Sequence, residues 1–587
     1  MAASVLEEAG TPYCYSTRGD EQELSLLHGR RLSGDMRLEE MVALCRSLQI
    51  KLIVDASHPF AVNLHRNVVA LAESTGLPLV RYERIYPPRS VDVVWCSNYA
   101  DAVEQLKRCG VRKLLALTGV NTLAPLRSYW NVHDCWFRIL DRDSSREKAH
   151  RCGFPENRLV YYENEQTDAL IRRIAPDAVL TKESGASGGF QEKLEAAQRY
   201  GCRLFAIERP LYAEGLHDIH FVDGPCGLRR MVESLLPDFF SLRSGLTTGT
   251  CATAAAVAAA TRLTRQEMPS EVPVRLPDGE TIQVEVSYGN GWASVTKDHS
   301  DDPDVTRGLE IRARVDYLDT DVSDSSTTTS SQIEIDGGEG VGRFTLPGFD
   351  YPPGSAAINK GPRQMIEDNL RPLGRSFKVV ISVPEGREVS ARTFNPRLGI
   401  EGGISIIGVS GIVKPFSEEA FICSIRKTMV VAQASGSDRV VIHSGAKSEA
   451  FLRAVYPDLP QQAFVEYGNY IGATLQMASE LGLQRVTLGV MLGKAVKLAA
   501  GQLDTHSHRG TMDKEFIASL LDEADCPMDV SELTLARDLW NLIPENRLQT
   551  FVQVVLSYCR RHCDPLLPEG NLTILLIDEQ GRIYPQP

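Results

Sequence analysis

The sequence predicts an α/β protein of more than one domain. A Rossmann-like, doubly wound parallel sheet is expected in the N-terminal half, followed by an α/β plus α+β region. Three observations carry this. The chain has 587 residues, and a single core stops growing at about 250–300. Through residues 1–238 short apolar runs alternate with helical stretches, the pattern of a parallel sheet with crossover helices. After Leu236-Pro-Asp238 the composition turns to glycine, proline and polar turns, so the domains are drawn as 1–238 and 239–587.

In the first half Lys51–Val54, Lys113–Leu117, Ala178–Leu180 and Leu204–Ile207 read as buried strands. Each runs into a polar loop: Asp55-Ala-Ser-His58, Thr118-Gly-Val-Asn121, Thr181-Lys-Glu-Ser-Gly185 and Glu208-Arg-Pro210. Ligands of such sheets bind beyond the carboxyl ends of the strands, where these loops lie. Pro59 suits the first turn of a following helix. His58 and Lys182 each have a plain reading, as a backbone-bonded loop histidine and a solvated lysine, beside the functional one.

The second half opens on Leu242-Arg-Ser-Gly-Leu-Thr-Thr-Gly-Thr-Cys-Ala-Thr-Ala-Ala-Ala. This is a loop feeding a helix, capped by Thr248 or Thr250 and propagated by alanine. Its unpaired N–H groups suit an anion, while an ordinary capped, alanine-packed helix gives the same spacing. Asp298, Asp301, Asp302 and Asp304 crowd one short block, but their spacing fits no EF-hand loop, and no metal site is expected. The Asp316–Gln332 stretch reads as an exposed, low-complexity loop. Glycines at 337–342 and around Gly402-Gly403 let backbone approach a ligand or form turns. Val486-Thr-Leu-Gly-Val-Met-Leu-Gly-Lys494 is one residue short of a P-loop and has Ala495 where a hydroxyl must hold magnesium, so no ATP site is expected. Gly493-Lys494 opening a helix still suits an anion. In Thr505-His-Ser-His-Arg-Gly510 the histidines, two apart, face opposite sides of a strand.

Composition narrows the function classes. A net charge of −13 argues against nucleic acid or an anionic membrane as partner. Thirteen scattered cysteines, with only Cys559 and Cys563 one helical turn apart, read as reduced thiols. No signal peptide or membrane-spanning run is visible, and a cytoplasmic chain is expected.

Two resemblances sharpen the reading. The Ser244-Gly-Leu-Thr-Thr-Gly-Thr-Cys-Ala-Thr opening, Lys297–Thr306, Gly338–Gly342, Ala356-Ala-Ile-Asn359, Thr393–Ile406 and Gly493–Gly501 before Thr505 together resemble the cobalt-precorrin-5B C1-methyltransferase family. Lys360-Gly361 departs from its usual pattern. In the first half Val54-Asp-Ala-Ser-His-Pro-Phe-Ala61, Leu117–Leu123 and Thr181–Gly185 with Lys193 resemble the precorrin-6A reductase family, which usually has threonine at Ser57. The resemblance implies a bifunctional enzyme of cobalamin biosynthesis. S-adenosylmethionine would methylate C1 of cobalt-precorrin-5B, and NADPH or NADH would reduce the cobalt-precorrin-6A formed. The rival is an active methyltransferase whose N-terminal half only binds the corrinoid. That rival stays open because Met1–Gly10 looks like the second half of the reductase family's first helix. The first strand and its phosphate-binding glycine turn are expected to be missing, and nucleotide binding to be weak.

The implied sites follow from these matches. His58, Asp55 and Lys182 are the catalytic candidates, with His58 a ready acid at an unperturbed pKa of about 6.5. Thr118, Ser184, Thr247, Thr248, Asp298, Asp301, Asp302, Arg363 and Arg397 are the substrate candidates. Gly402, Gly403, Gly468, Asn469, Gly489, Gly493 and Lys494 are the cofactor candidates. Corrinoid small molecules are the expected partners, with a homo-oligomer allowed.

Overall fold

The structure is a computed structural model. It describes every residue except 20–24, 163–165, 186–187, 213–218, 299, 319–330, 506–511 and 586–587. Most of the Asp316–Gln332 loop and the His506–Gly510 stretch therefore lie outside the described residues. The chain forms two compact units. The first comprises Met1–Arg243 with Arg275–Ile282, and the second Ser244–Val274 with Gln283–Pro587. Among the described residues no helix is long and apolar enough to cross a membrane. None of the thirteen cysteines is joined in a disulfide.

The first unit is α/β with parallel sheets, as expected, but divides its strands between sheets. Ala2–Glu7 is helical, and β1 (Tyr13–Thr17) pairs with β2 (Gly29–Ser33). The others are β3 (Ile53–Asp55), β4 (Leu79–Tyr82), β5 (Val93–Cys96), β6 (Lys113–Ala116), β7 (Asp134–Ile139), β8 (Leu159–Tyr161), β9 (Ala178–Lys182), β10 (Arg203–Ile207) and β11 (Ile219–Val222). Six run in the order β5-β10-β9-β6-β7-β8 and three as β11-β4-β3, with every neighbour parallel. The six-stranded sheet is buried on both faces. Leu114, Ala116, Leu180 and Phe205 enter one core, and Leu115, Val179 and Ala206 the other. This explains why its strands read as continuous apolar runs. The helix after β3 spans Val62–Thr75, so His58 and Pro59 lie in the preceding loop and not in its first turn.

Two five-stranded sheets dominate the second unit. In the first, β12 (Ser287–Tyr288), β13 (Ala293–Thr296), β14 (Glu310–Tyr317), β15 (Ile333–Gly337) and β16 (Phe377–Ser382) lie in the order β12-β13-β14-β16-β15, antiparallel except for β15 with β16. The alanine-rich helix Thr248–Arg265 packs on it, buried from Thr248 through Ala260. Its cap is Thr247, whose hydroxyl accepts from the Thr250 N–H at 3.1 Å. In the second sheet β17 (Val440–His443), β18 (Phe464–Glu466), β19 (Arg485–Met491), β20 (Asn571–Ile577) and β21 (Ile583–Tyr584) take the order β18-β17-β19-β20-β21. The first four are parallel and β21 is antiparallel. From β17 the chain moves first to β18 on one side and then to β19 on the other. The topological switch, where such folds bind ligands, therefore lies at the carboxyl ends of β17 and β19.

Glycines between these sheets are explained by contact. A side-chain carbon on Gly340 (φ +71°) would stand 1.7 Å from the Val383 carbonyl oxygen. Carbons on Gly386 and Gly403 would stand 2.2 and 2.1 Å from the Gly340 oxygen. Three backbone segments thus touch where no side chain fits. Gly354 (φ +93°) has open space around it. Gly354→Ala should therefore cost only the left-handed penalty of about 1–2 kcal/mol. Gly340→Ala should cost about 3 kcal/mol or more, since backbone must also move. Urea unfolding of the two variants checks this; equal losses would contradict the packing account.

Candidate functional site

Two carboxyl edges gather polar groups, one in each unit. In the first unit Asp55 ends β3 and is buried. Its carboxylate accepts from the Ser57 hydroxyl at 2.6 Å and the Tyr212 hydroxyl at 2.9 Å. It meets His65 Nδ1 at 2.8 Å and pairs with Arg81 at 3.1 Å. Burial alone would raise its pKa, but the His65 bond, the Arg81 charge and the Ser57 bonds together hold it well below the usual range. Asp55 is thus a saturated anchor for the loop rather than a free base.

His58 lies beyond this anchor. Its Nδ1 accepts from the Phe60 N–H at 3.2 Å, so in the neutral ring the proton sits on Nε2. The ring keeps solvent-exposed surface, yet its pKa is pushed down to about 4. Dehydration comes first among the causes, followed by the positive charges of Arg84, Lys182, His65 and Arg81. The ready-acid expectation is therefore corrected: at neutral pH His58 offers a hydrogen bond, not a dissociable proton. Lys182 stands 5.3 Å over the Phe60 ring, and burial lowers its pKa. Lys193, also dehydrated, is lowered to about 8 and donates to the Gly188 carbonyl at 2.8 Å. Arg84 donates to the Ser184 carbonyl at 2.9 Å. The crevice is basic. Thr118 and Ser184 are spent internally, on Thr122 at 2.6 Å and on the Gly188 carbonyl at 3.0 Å.

In the second unit most of the substrate candidates serve packing. The Thr248 hydroxyl donates to the Ile407 carbonyl at 3.1 Å and accepts the Ile407 N–H at 2.8 Å. The Thr247 hydroxyl is taken by capping. Arg363 holds the carbonyls of Ile335, Ile358 and Ala356 at 2.7, 2.9 and 3.4 Å. Asp298 accepts from the Leu246 N–H at 2.6 Å, Asp302 from the Phe416 N–H at 3.1 Å, and Asp304 pairs with buried Lys297 at 2.7 Å. Asp301 is exposed. Among the described residues these aspartates form no metal-ligand cluster. Gly403 is fixed by Gly340 and Gly489 by Leu452, whose Cδ1 a side-chain carbon would meet at 2.3 Å. Gly402 is an exposed turn at φ +86°. These two packed glycines leave no room for a ligand.

The remaining cofactor candidates converge at the switch of the C-terminal sheet. Gly468 and Asn469 follow β18, and Gly493 and Lys494 follow β19. Gly493 is exposed, with open space where a side chain would stand. Lys494 donates to the Gly468 carbonyl, and burial lowers its pKa to about 8. Arg397 pairs with Glu449 at 2.9 Å while its side chain stays 38% exposed.

Sequence reasoning missed His65, Arg81 and Tyr212 around Asp55. In the second unit it missed His443, Glu449 and Glu466. Val440-Val-Ile442 running into His443-Ser-Gly445, and Phe464-Val465 into Glu466, repeat the strand-into-polar signal that marked the first half. His443 is fully buried. Its Nδ1 lies 3.2 Å from the Gly445 carbonyl, and its Nε2 has no hydrogen-bond partner, with Glu449 3.7 Å away. Burial and the Arg397 and Arg453 charges push its pKa down against the pull of Glu449. Burial raises Glu466, and Glu449 raises it further, against Arg397 and Lys494.

Comparison with known proteins adds the following. A family model described as Precorrin-6x reductase CbiJ/CobK matches residues 1–223. One described as CbiD matches 237–415, and one described as CbiD, C-terminal domain matches 504–586. The Cobalt-precorrin-5B C(1)-methyltransferase of Prosthecochloris aestuarii is 42% identical over 355 residues, which is 58% of this chain and 94% of that protein. That of Geobacillus kaustophilus is 43% identical over 351 residues, 57% and 91% of the two chains. Among solved structures, a cobalamin biosynthesis protein (cbiD) from Archaeoglobus fulgidus is 30% identical, covering 46% of this chain and 83% of that one, with a TM-score of 0.26. A CobK precorrin-6A reductase is 20% identical, covering 40% and 92%, with a TM-score of 0.33.

Buried, neutral His443 gives a pH dependence. Its folded pKa lies below the unfolded value of about 6.5, so its contribution is complete above that pH. It is lost as pH falls and the unfolded chain takes up the proton first. From pH 6.5 to 5 the transition that melts the C-terminal sheet should lose about 1–2 kcal/mol through this group. His443→Gln should flatten that limb in urea unfolding run across the range. An unchanged slope would show that the histidine does not titrate with folding.

Proposed function

Because the chain belongs to the cobalt-precorrin-5B C(1)-methyltransferase family, and its first 223 residues match a precorrin-6x reductase family, we propose that it performs two consecutive steps of cobalamin biosynthesis. The first is transfer of a methyl group from S-adenosylmethionine to C1 of cobalt-precorrin-5B. The second is reduction of the cobalt-precorrin-6A formed, with NADPH or NADH, to cobalt-precorrin-6B. The carrying observation is that both families are matched side by side on one chain. Joining consecutive steps raises the local concentration of a labile product at the next site.

For reduction, bound nicotinamide supplies the hydride. The residues present suit such an anionic cofactor and a carboxylate-rich corrinoid, since Arg84, Lys182 and Lys193 make the crevice of the first unit basic. His58 orients substrate through its Nε2–H. The accompanying proton comes from a dehydrated lysine, with Lys193 the best matched to neutral pH at about 8. Asp55, locked by His65, Arg81 and Tyr212, holds the His58 loop in place.

For methylation, the sulfonium of the donor supplies an electrophilic methyl, so the chain has to align two reactants and exclude water. The switch of the C-terminal sheet fits the donor. Gly493 leaves open space there, the Gly468 turn lies opposite, and Lys494 places a half-buried positive charge where the methionine carboxylate would be held. Arg397 is the substrate candidate that keeps an exposed guanidinium.

An anaerobic assay on cobalt-precorrin-5B, adding S-adenosylmethionine and NADPH separately and together, tests the reading. A methylated product with the first alone and a reduced one only with both is expected. No methylation would refute it. Lys182→Ala should slow reduction about 10–100-fold, the effect of losing one charge-assisted contact, with methylation unchanged. A parallel loss of both activities would argue against separate sites. Chelator treatment should leave methyl transfer intact, because Asp298, Asp302 and Asp304 already spend oxygens on backbone and Lys297; rescue by magnesium would reverse that conclusion.

A further inference from the structure

The turn after β17 and the end of β18 carry a feature that the cofactor candidates above do not include. β17 ends on His443, the chain turns through Ser444-Gly445, and the helix Ala446–Val455 follows. β18, hydrogen-bonded to β17, ends on Glu466. A side-chain carbon on Gly445 would stand 3.7 Å from Glu466 Oε1, so the carboxylate hangs over the bare strand-to-helix turn. Among the described residues Glu466 makes no hydrogen bond or ion pair; Arg397, Glu449 and Lys494 act on it only through space. Beside it His443 Nε2, fully buried, also lacks a partner. The half-buried Glu466 carboxylate is thus open to a ligand, and the buried, unpartnered His443 nitrogen beside it calls for an explanation, a ligand being one.

The topology supplies the explanation. In a parallel sheet of this kind, a turn after one strand cradles a nucleotide at the switch. An acid about twenty residues further on, at the end of the adjacent strand, accepts ribose hydroxyls. We infer that Glu466 accepts the ribose hydroxyls of the adenosyl group of S-adenosylmethionine, with the Ser444-Gly445 turn beneath that sugar and Lys494 on the methionine side. This rests on the proposal that the C-terminal sheet holds the methyl donor. The chemistry also selects against a 2′-phosphorylated nucleotide. A 2′-phosphate of NADPH would meet the negative charges of Glu466 and Glu449, whereas an uncharged diol meets an acceptor. Glu466 is therefore a specificity residue for an unphosphorylated adenosine ribose.

The test uses the full chain and S-adenosylhomocysteine, the stable product of methyl transfer, beside its 2′-deoxyribose analogue. Wild type should bind the deoxy analogue about 10–100-fold more weakly, the loss of one or two charge-assisted hydrogen bonds. Glu466→Gln should weaken S-adenosylhomocysteine by a similar factor and no longer distinguish the two ligands, with its unfolding midpoint unchanged. Equal wild-type binding of ribose and deoxyribose, or full affinity in Glu466→Gln, would overturn the assignment of Glu466 and leave the donor site standing. Should that variant fail to fold, the wild-type ligand comparison alone decides. Absence of S-adenosylhomocysteine binding by wild type would overturn both this assignment and the reading of the edge. Methylation measured in the same preparation then shows whether the activity survives elsewhere.

Discussion

Thr248 grips Ile407 with both faces of one hydroxyl, donating to its carbonyl and accepting from its N–H. Around that grip the Gly249 N–H bonds the Ile407 carbonyl, the Thr250 hydroxyl bonds the Gly411 carbonyl, and Gly408 leaves room for the Thr247 side chain. The first turn of the buried alanine helix is thereby pinned to a strand connection far along the chain. The glycine- and threonine-rich opening is what that contact demands. The Thr247 hydroxyl supplies the acceptor that the Thr250 N–H lacks at a helix start. The Thr248 and Thr250 hydroxyls bond the backbone of the facing segment, and each glycine removes a carbon that would hold the segments apart. The mixed sheet under the helix and the triple glycine contact at Gly340 depend on the same closeness.

This shows which parts of the molecule were legible from sequence. Strand ends in the first half, such as Asp55 and Lys182, were readable because continuous apolar runs stopping at polar residues have one physical meaning in a parallel sheet. The division among separate sheets was not, since nothing local in Ile53–Asp55 distinguishes its neighbours from those of Lys113–Ala116. Motif residues were found readily, yet their roles were misread where packing and binding call for the same residue types. Arg363 is an arginine because three carbonyls need donors. Gly489 is a glycine because Leu452 occupies its side-chain space. Thr247 rather than Thr248 caps because the preceding pair Gly245–Leu246 bonds Ile412–Val413 and fixes where the helix starts.

Electrostatics separates the two edges more clearly than their shared α/β layout does. The crevice of the first unit gathers cations around a neutral histidine, with buried Asp55 neutralised by Arg81 and His65 and buried Glu183 by Arg89. At the C-terminal sheet the acids Glu449 and Glu466 face fewer cations, of which Arg397 is committed to Glu449. On the reading proposed above, one edge suits polyanions and the other a neutral diol carrying a positive sulfonium. If the two cofactors bind as proposed, the field at each site discourages the other's before any shape is considered.

The C-terminal sheet also has an order of assembly written into it. β19 lies between β17 and β20, and β20 arrives only after the helices Lys514–Glu523 and Glu545–Cys563 have been made. Until then β19 presents an open, strongly apolar edge, the kind that invites pairing with other chains. Long-range parallel pairing of this type is slow to form, whereas the first unit draws nearly all its strands from residues already synthesised. During translation the reductase-like unit can therefore fold early, while the growing chain carries an unfinished sheet with an aggregation-prone open edge.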